Sequence, residues 1–221
     1  MLGDSYLDVG HVGPTIQMVA NATYRTYYLA GAALNYGSGQ FNIPYQFDSM
    51  AVTANPDIKV VITDGGGNDI LINNSQCLTT RVMGDTSCHT AINGAVMRAT
   101  QLLQDMANKG VKQVAYFFYP HISPSVGANA NDWLDYAYPL AAQLCCGSNA
   151  PPAGSPDLTC QGSTGGLSCV FIDTRPEFVG HNISSNASTY WFQDGIHPTQ
   201  PGADAIANKV WGQMQKYCIA Q

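Results

Sequence analysis

Apolar stretches rich in β-branched residues alternate along this chain with stretches of helical period. That alternation narrows the possible folds more than any other feature. Residues 26–30, 57–63, 111–118 and 168–173 read as buried strands, the second carried by Ile58-Lys59-Val60-Val61-Ile62. Residues 14–21, 43–54, 90–109, 132–144 and 199–217 read as helices. In the clearest, 90–109, Ile92, Val96, Ala99, Leu103 and Met106 recur on one face, and Lys109-Gly110 supplies a cationic last turn and a terminating glycine. Pro139 is expected to kink or break the helix at 132–144. Strands that alternate with helices build βαβ units, with helices on both faces of a parallel sheet. The expected fold is α/β: a three-layer α/β/α, flavodoxin-like parallel sheet. No repeat or linker divides residues 1–221, so one domain is expected, with a substantial core.

Ligands of open α/β sheets bind beyond the carboxyl ends of the strands. The residues that carry chemistry cluster at such positions. Gly3-Asp4-Ser5 stands at one end of the chain and Asp194-Gly195-Ile196-His197-Pro198 at the other. Serine is a poor nucleophile until an adjacent imidazole takes its proton. The imidazole works best when a carboxylate holds its tautomer and stabilises its protonated form. Asp194 and His197 are three residues apart, so one tight turn can set them side by side. Between these ends lies Asp64-Gly65-Gly66-Gly67-Asn68-Asp69-Ile70, directly after the 57–63 strand. Glycines there let the backbone turn sharply and approach a ligand, and Asn68 can donate an N–H to a developing oxyanion. Ser5, Asp194 and His197 are therefore the candidate catalytic residues. No G-x-S-x-G elbow occurs, and Gly37-Ser38-Gly39 has the wrong spacing for one.

The motifs resemble the SGNH/GDSL hydrolases. Gly3-Asp4-Ser5 with Leu7 is similar to that family's first block, with Tyr6 displacing the usual fourth letter. Gly66-Gly67-Asn68-Asp69 matches its third block, and Asp194-Gly195-Ile196-His197 its fifth. The second block is a lone glycine after the second strand. Tyr27-Tyr28-Leu29-Ala30-Gly31 fits it and nominates Gly31, with Gly37 and Gly39 as competitors. The resemblance spans nearly the whole chain. It implies that Ser5 is the nucleophile, that His197 is the base oriented by Asp194, and that an oxyanion hole forms from the N–H groups of Ser5 and Gly31 with the Asn68 amide. The implied chemistry is ester hydrolysis through an acyl-enzyme, with no metal or organic cofactor. One departure stands out: the family has a hydrophobic strand before its serine, whereas Met1-Leu2 precede Gly3 here. That strand is expected to be shortened or supplied from elsewhere.

Other side chains keep two readings. His121 follows the 111–118 strand, either lining a substrate pocket or hydrogen-bonded within its loop. Trp191 precedes the Asp194 turn as a pocket wall or a core anchor. Tyr6 and Trp191 offer faces against a sugar ring. Asp8 and Asp69 read as caps or turn formers. With loops rich in Gly, Asn and Ser and no amphipathic lid, the expected site is open and shallow. It favours acetyl to butyryl esters, with a carbohydrate acetylesterase among the readings. Rival readings are a non-catalytic polysaccharide-binding module of the same fold and transfer of the acyl group to a sugar hydroxyl.

Composition limits the partners. Only 11% of residues are charged, and the net charge is −6. No basic cluster exists to bind phosphate, which argues against nucleic acid. No apolar run approaches a membrane span. A small-molecule or carbohydrate ester remains as substrate; the oligomeric state is not legible. Seven cysteines without a zinc-like spacing read as disulfides, as in secreted or periplasmic proteins. Cys77 and Cys88 are expected to close one loop. Cys145 or Cys146 is expected to pair with Cys160 or Cys169, and the odd total leaves one thiol over, with Cys218 the candidate.

Overall fold

A computed structural model of the chain describes residues 1–79, 85–123, 125–181, 190–192 and 194–220. At its centre lie β1 (Val60–Thr63), β2 (Gln113–Phe118), β3 (Cys160–Thr164) and β4 (Leu167–Asp173). They stand in the order β1-β2-β4-β3, with the first three of that order parallel and β3 antiparallel at the edge. The sheet is thus parallel, as expected, but for one antiparallel edge strand. The cause is local. Gly165 and Gly166, at φ 59° and 83°, form a two-residue loop between β3 and β4, and two glycines with positive φ suit a tight hairpin. Residues 114–118 and 169–173 are buried throughout, which fits strands covered on both faces.

The position expected for a first strand is filled by three residues. Leu2 N donates to Ile62 O at 3.0 Å, and Leu2 bridges Thr63 in parallel. On the other side Tyr27 N donates to Met1 O at 2.9 Å and Leu29 N to Gly3 O at 3.1 Å. The strand expected at 26–30 is therefore an extended segment tied to residues 1–3, without a regular ladder.

Helices cover both faces in three layers. On one, α1 (Val12–Ala20) packs on α7 (Gln200–Lys216), which packs on β2 and β4. On the other, α5 (Thr86–Asn108) and α6 (Ala130–Cys146) pack on each other and on the sheet. α5 begins before residue 90 because the Asp85 carboxylate accepts from Ser87 N and Cys88 N and caps it. Pro139 lies inside α6, which runs on past it to Cys146. The helix expected at 43–54 is three pieces: α2 (Ile43–Tyr45), a π-helical turn (Gln46–Ala51) and α3 (Val52–Ala54). The short α4 (Gly67–Leu71) follows β1.

Three disulfides brace the α5–α6 side. Cys77–Cys88 joins the turn after α4 to the start of α5. Cys145–Cys169 and Cys146–Cys160 fasten the end of α6 to β4 and β3, and Cys218 is free. The buried apolar side chains form one contiguous cluster. Among the described residues no helix is long and apolar enough to cross a membrane.

Candidate active site

The Ser5 turn leaves the sheet beside β1 and is held by buried polar groups. Gly3 lies at φ 144°, and a Cβ there would stand 1.7 Å from Asp64 Oδ1, so only glycine fits. Asp64 Oδ1 accepts from Asp4 N at 2.8 Å. Asp4 in turn accepts from Tyr6 N at 3.1 Å and from the Tyr119 hydroxyl at 2.6 Å. Gln46, turned inward from the π-helical turn, accepts from Gly3 N at 2.8 Å and donates to Gly3 O at 3.0 Å. Burial pushes both carboxyls upward. Asp64 goes well above the usual range, since the neighbouring Asp4 charge adds to its burial.

A second loop carries Gly31. Ala32 N donates to Leu29 O at 3.0 Å, with Gly31 at φ 84° inside the turn. A Cβ on Gly31 would meet nothing closer than 3.8 Å, so backbone conformation and not space calls for glycine. Three side chains clamp this loop. Asp8 Oδ2 accepts from Ala30 N at 2.9 Å, and Asn68 Nδ2 donates to Ala32 O at 2.9 Å. The Asp69 carboxylate accepts from Leu34 N at 2.9 Å and Asn35 N at 2.8 Å. Asp8 and Asp69 are thus turn ties, as read from the sequence.

Asn68 enters the site from the start of α4. Gly65 and Gly66, at φ 146° and 113°, turn the chain off β1. The Tyr119 hydroxyl accepts from Gly67 N at 3.0 Å, so one phenol joins the Ser5 turn to the Asn68 turn. Tyr119 and Gln46 carry these contacts with no local motif to announce them.

The third segment is a loop whose two ends are tied together. Trp191 bridges Pro198, Phe192 N donates to His197 O at 3.0 Å, and Thr199 N donates to Tyr190 O at 2.9 Å. Within it Asp194 Oδ1 accepts from Ile196 N and His197 N at 2.9 and 3.0 Å, and Asp194 Oδ2 lies 2.7 Å from His197 Nδ1. Burial raises the Asp194 carboxyl, but the ring and backbone hydrogen bonds outweigh it and hold the group below its usual value. This loop is joined to the Ser5 turn. The Tyr6 hydroxyl donates to Ile196 O at 2.6 Å, and the Tyr6 and His197 rings are 6.2 Å apart.

Several groups are left without partners. His197 Nε2 is buried and makes no hydrogen bond. Among the described residues, Ser5 N, Ser5 Oγ and Gly31 N also make none, and the Asn68 amide has one N–H beyond its bond to Ala32. A buried ring nitrogen without a partner, as at His197, is rare and asks for one.

The expected substrate-binding side chains stand differently. Tyr6 is 2% exposed and packed edge-on against Tyr119 at 5.0 Å, so it presents no open face to a sugar. Trp191 is 6% exposed against Phe178 and anchors the His197 loop. His121 Nε2 pairs with Asp135 Oδ1 at 2.8 Å and is a hydrogen-bonded loop histidine. It borders, with Trp191 and Arg175, a groove distinct in its lining from the Ser5 turn.

The fold has a counterpart among solved structures, described as "a putative SGNH hydrolase from Slackia heliotrinireducens". The two share 14% identity over 97% of this chain and 96% of that one, with a TM-score of 0.53. The likeness is one of fold. No family model and no curated protein matches the chain.

Proposed function

We propose that the protein is a carboxylic ester hydrolase of the SGNH type, acting as one catalytic domain. The observation that carries the reading is the Asp194–His197 pair at 2.7 Å with its Nε2 buried and unpartnered, on a loop bonded to the Ser5 turn. Ser5 Oγ attacks the ester carbonyl and its proton passes to His197 Nε2. The oxyanion is received by the free N–H groups of Ser5, Gly31 and Asn68, which have no other acceptor to give up. His197 then gives its proton to the leaving alkoxide, and the acyl group stays on Ser5. Water attacks the acyl-enzyme with His197 again as base, and the carboxylic acid leaves. Asp194 keeps the ring oriented and stabilises its charged form. No cofactor enters these steps. Three disulfides support an oxidising compartment, secreted or periplasmic.

The test is Ser5→Ala on an activated ester. The variant is expected to melt like the parent and to lose roughly 10³-fold or more in turnover. Parental turnover in the variant rules the mechanism out.

A further inference from the structure

A narrow apolar cleft runs beneath the candidate site, between the sheet, α4, α5 and α6. Its lining includes Tyr6, Gly67 and Ile196, each the chain neighbour of one proposed catalytic residue: Ser5, Asn68 and His197. From there it passes between two facing pairs of buried alanines, Ala95 and Ala99 on α5 and Ala137 and Ala141 on α6. Each pair is spaced i, i+4, so both lie on one face of their helix. Leucine-sized residues at these positions would close the space. The cleft's open volume is only about 70 Å³, although its lining runs along α6 from Ala130 to Leu144. It is therefore long and thin.

We infer that this cleft receives the acyl chain of the substrate ester, and that the chain is of medium or long length. The inference rests on the ester hydrolase reading above. Three observations favour an alkyl chain over a sugar. The walls are almost wholly apolar, and the hydroxyls of Tyr116 and Tyr119 that reach them are already bonded, to Gly65 O at 2.8 Å and Asp4 Oδ2 at 2.6 Å. A dry, satisfied wall offers nothing to a ring of hydroxyls and favours methylenes. So small a volume spread along that lining suits a chain of methylenes better than a pyranose. The length fits too: the lining runs from Ala130 to Leu144 along α6, about 20 Å at helical rise, room for roughly ten carbons or more. The rim continues the same chemistry. Phe41 and Ile72, 48% and 59% exposed, lie within 4 Å of where a Gly31 side chain would begin. The expectation of an open site for acetyl to butyryl esters looked for a lid helix. This cleft needs none, since it lies under the helices already in the fold.

The experiment is a series of p-nitrophenyl esters from acetate to palmitate, run on the whole protein and on Ala99→Leu. Decanoate binding to both proteins is measured alongside by calorimetry. Expected for the parent is kcat/KM roughly tenfold or more higher for decanoate than for acetate, since each buried methylene adds to binding. Ala99→Leu is expected to lower that ratio at least tenfold and to weaken decanoate binding. A parent that prefers acetate and does not bind decanoate overturns the acyl cleft while leaving the hydrolase intact. A parent that hydrolyses no ester of any length overturns the hydrolase reading itself. If Ala99→Leu does not fold, the parent's chain-length profile and its decanoate titration decide the matter alone.

Discussion

Asp69 gives the sharpest test of how the Gly31 loop is held. Its carboxyl is buried, and burial is the largest cause of its net rise from 3.8 to about 6. The N–H groups of Leu34 and Asn35 pull it down, and the Asp4 charge pushes it up further. The folded protein thus keeps this proton to a higher pH than the unfolded chain does. The stability it contributes is fully present below about 3.8 and is lost as pH rises through about 6. At 1.36 kcal/mol per pH unit, the gap from 3.8 to about 6 is worth about 3 kcal/mol. Asp69→Asn removes the titration but leaves an amide N–H facing one of the two backbone N–H groups, at a cost of about 1–3 kcal/mol. Urea unfolding of both proteins, followed by tryptophan fluorescence from pH 4 to pH 8 with disulfides intact, separates the two effects. The parent is expected to be the more stable at pH 4. Its advantage is expected to shrink by about 2 kcal/mol between pH 4 and pH 8, since part of the gap is already lost at pH 4, and to reach zero or change sign. The burial of Asp4 and Asp64 is common to both proteins and cancels in the difference, while the Asp4–Asp69 repulsion belongs to the parent alone and is already part of the Asp69 shift. An advantage that stays level across the range, or grows with pH, refutes the reasoning.

Other perturbations probe other links. Asn68→Ala is expected to lower kcat by roughly 10²–10³-fold with a smaller change in KM, because the hydrogen bond strengthens in the transition state; steady-state kinetics on an activated ester decide it. Tyr119→Phe strips the shared hydroxyl from Asp4 Oδ2 and Gly67 N, and is expected to cost about 1–3 kcal/mol in urea unfolding and to lower kcat as well. Mass spectrometry of the unreduced, alkylated protein is expected to report three disulfides and one alkylated thiol, Cys218. Reduction is expected to lower the melting temperature, since each loop closure adds about 2–4 kcal/mol.

Much of the layout was legible along the chain, because short-range chemistry writes it there. Periodicity placed β1, β2, β4, α5 and α7 to within a few residues. The spacing of Asp194 and His197 foretold a contact that one turn can make, and Cys77–Cys88 followed from two cysteines flanking one loop. Where local rules met a neighbour, they were overridden. Pro139 sits in an unbroken α6. The 26–30 segment, apolar enough for a strand, became a strap on a three-residue edge. The hairpin was present in Gly165-Gly166 but hidden by the polar, loop-like composition around it.

What the residues dictate on their own is the alternation that makes a three-layer sheet, together with the Ser, His, Asp and Asn that an acyl transfer needs. These depend on backbone preference and on neighbours a few positions away. The fold alone decided which groups share protons and which surfaces are left bare. Tyr119 reaches Asp4 across 115 residues, and Tyr6 reaches Ile196 across 190. Such contacts follow from where whole elements pack, and so does the fate of an aromatic ring. Tyr6 and Trp191 became walls and anchors, while Ala95, Ala99, Ala137 and Ala141, unremarkable in sequence, opened the cleft between α5 and α6. A cavity is made by side chains that are too small for the distance between two helices, and that distance is written nowhere in the local sequence.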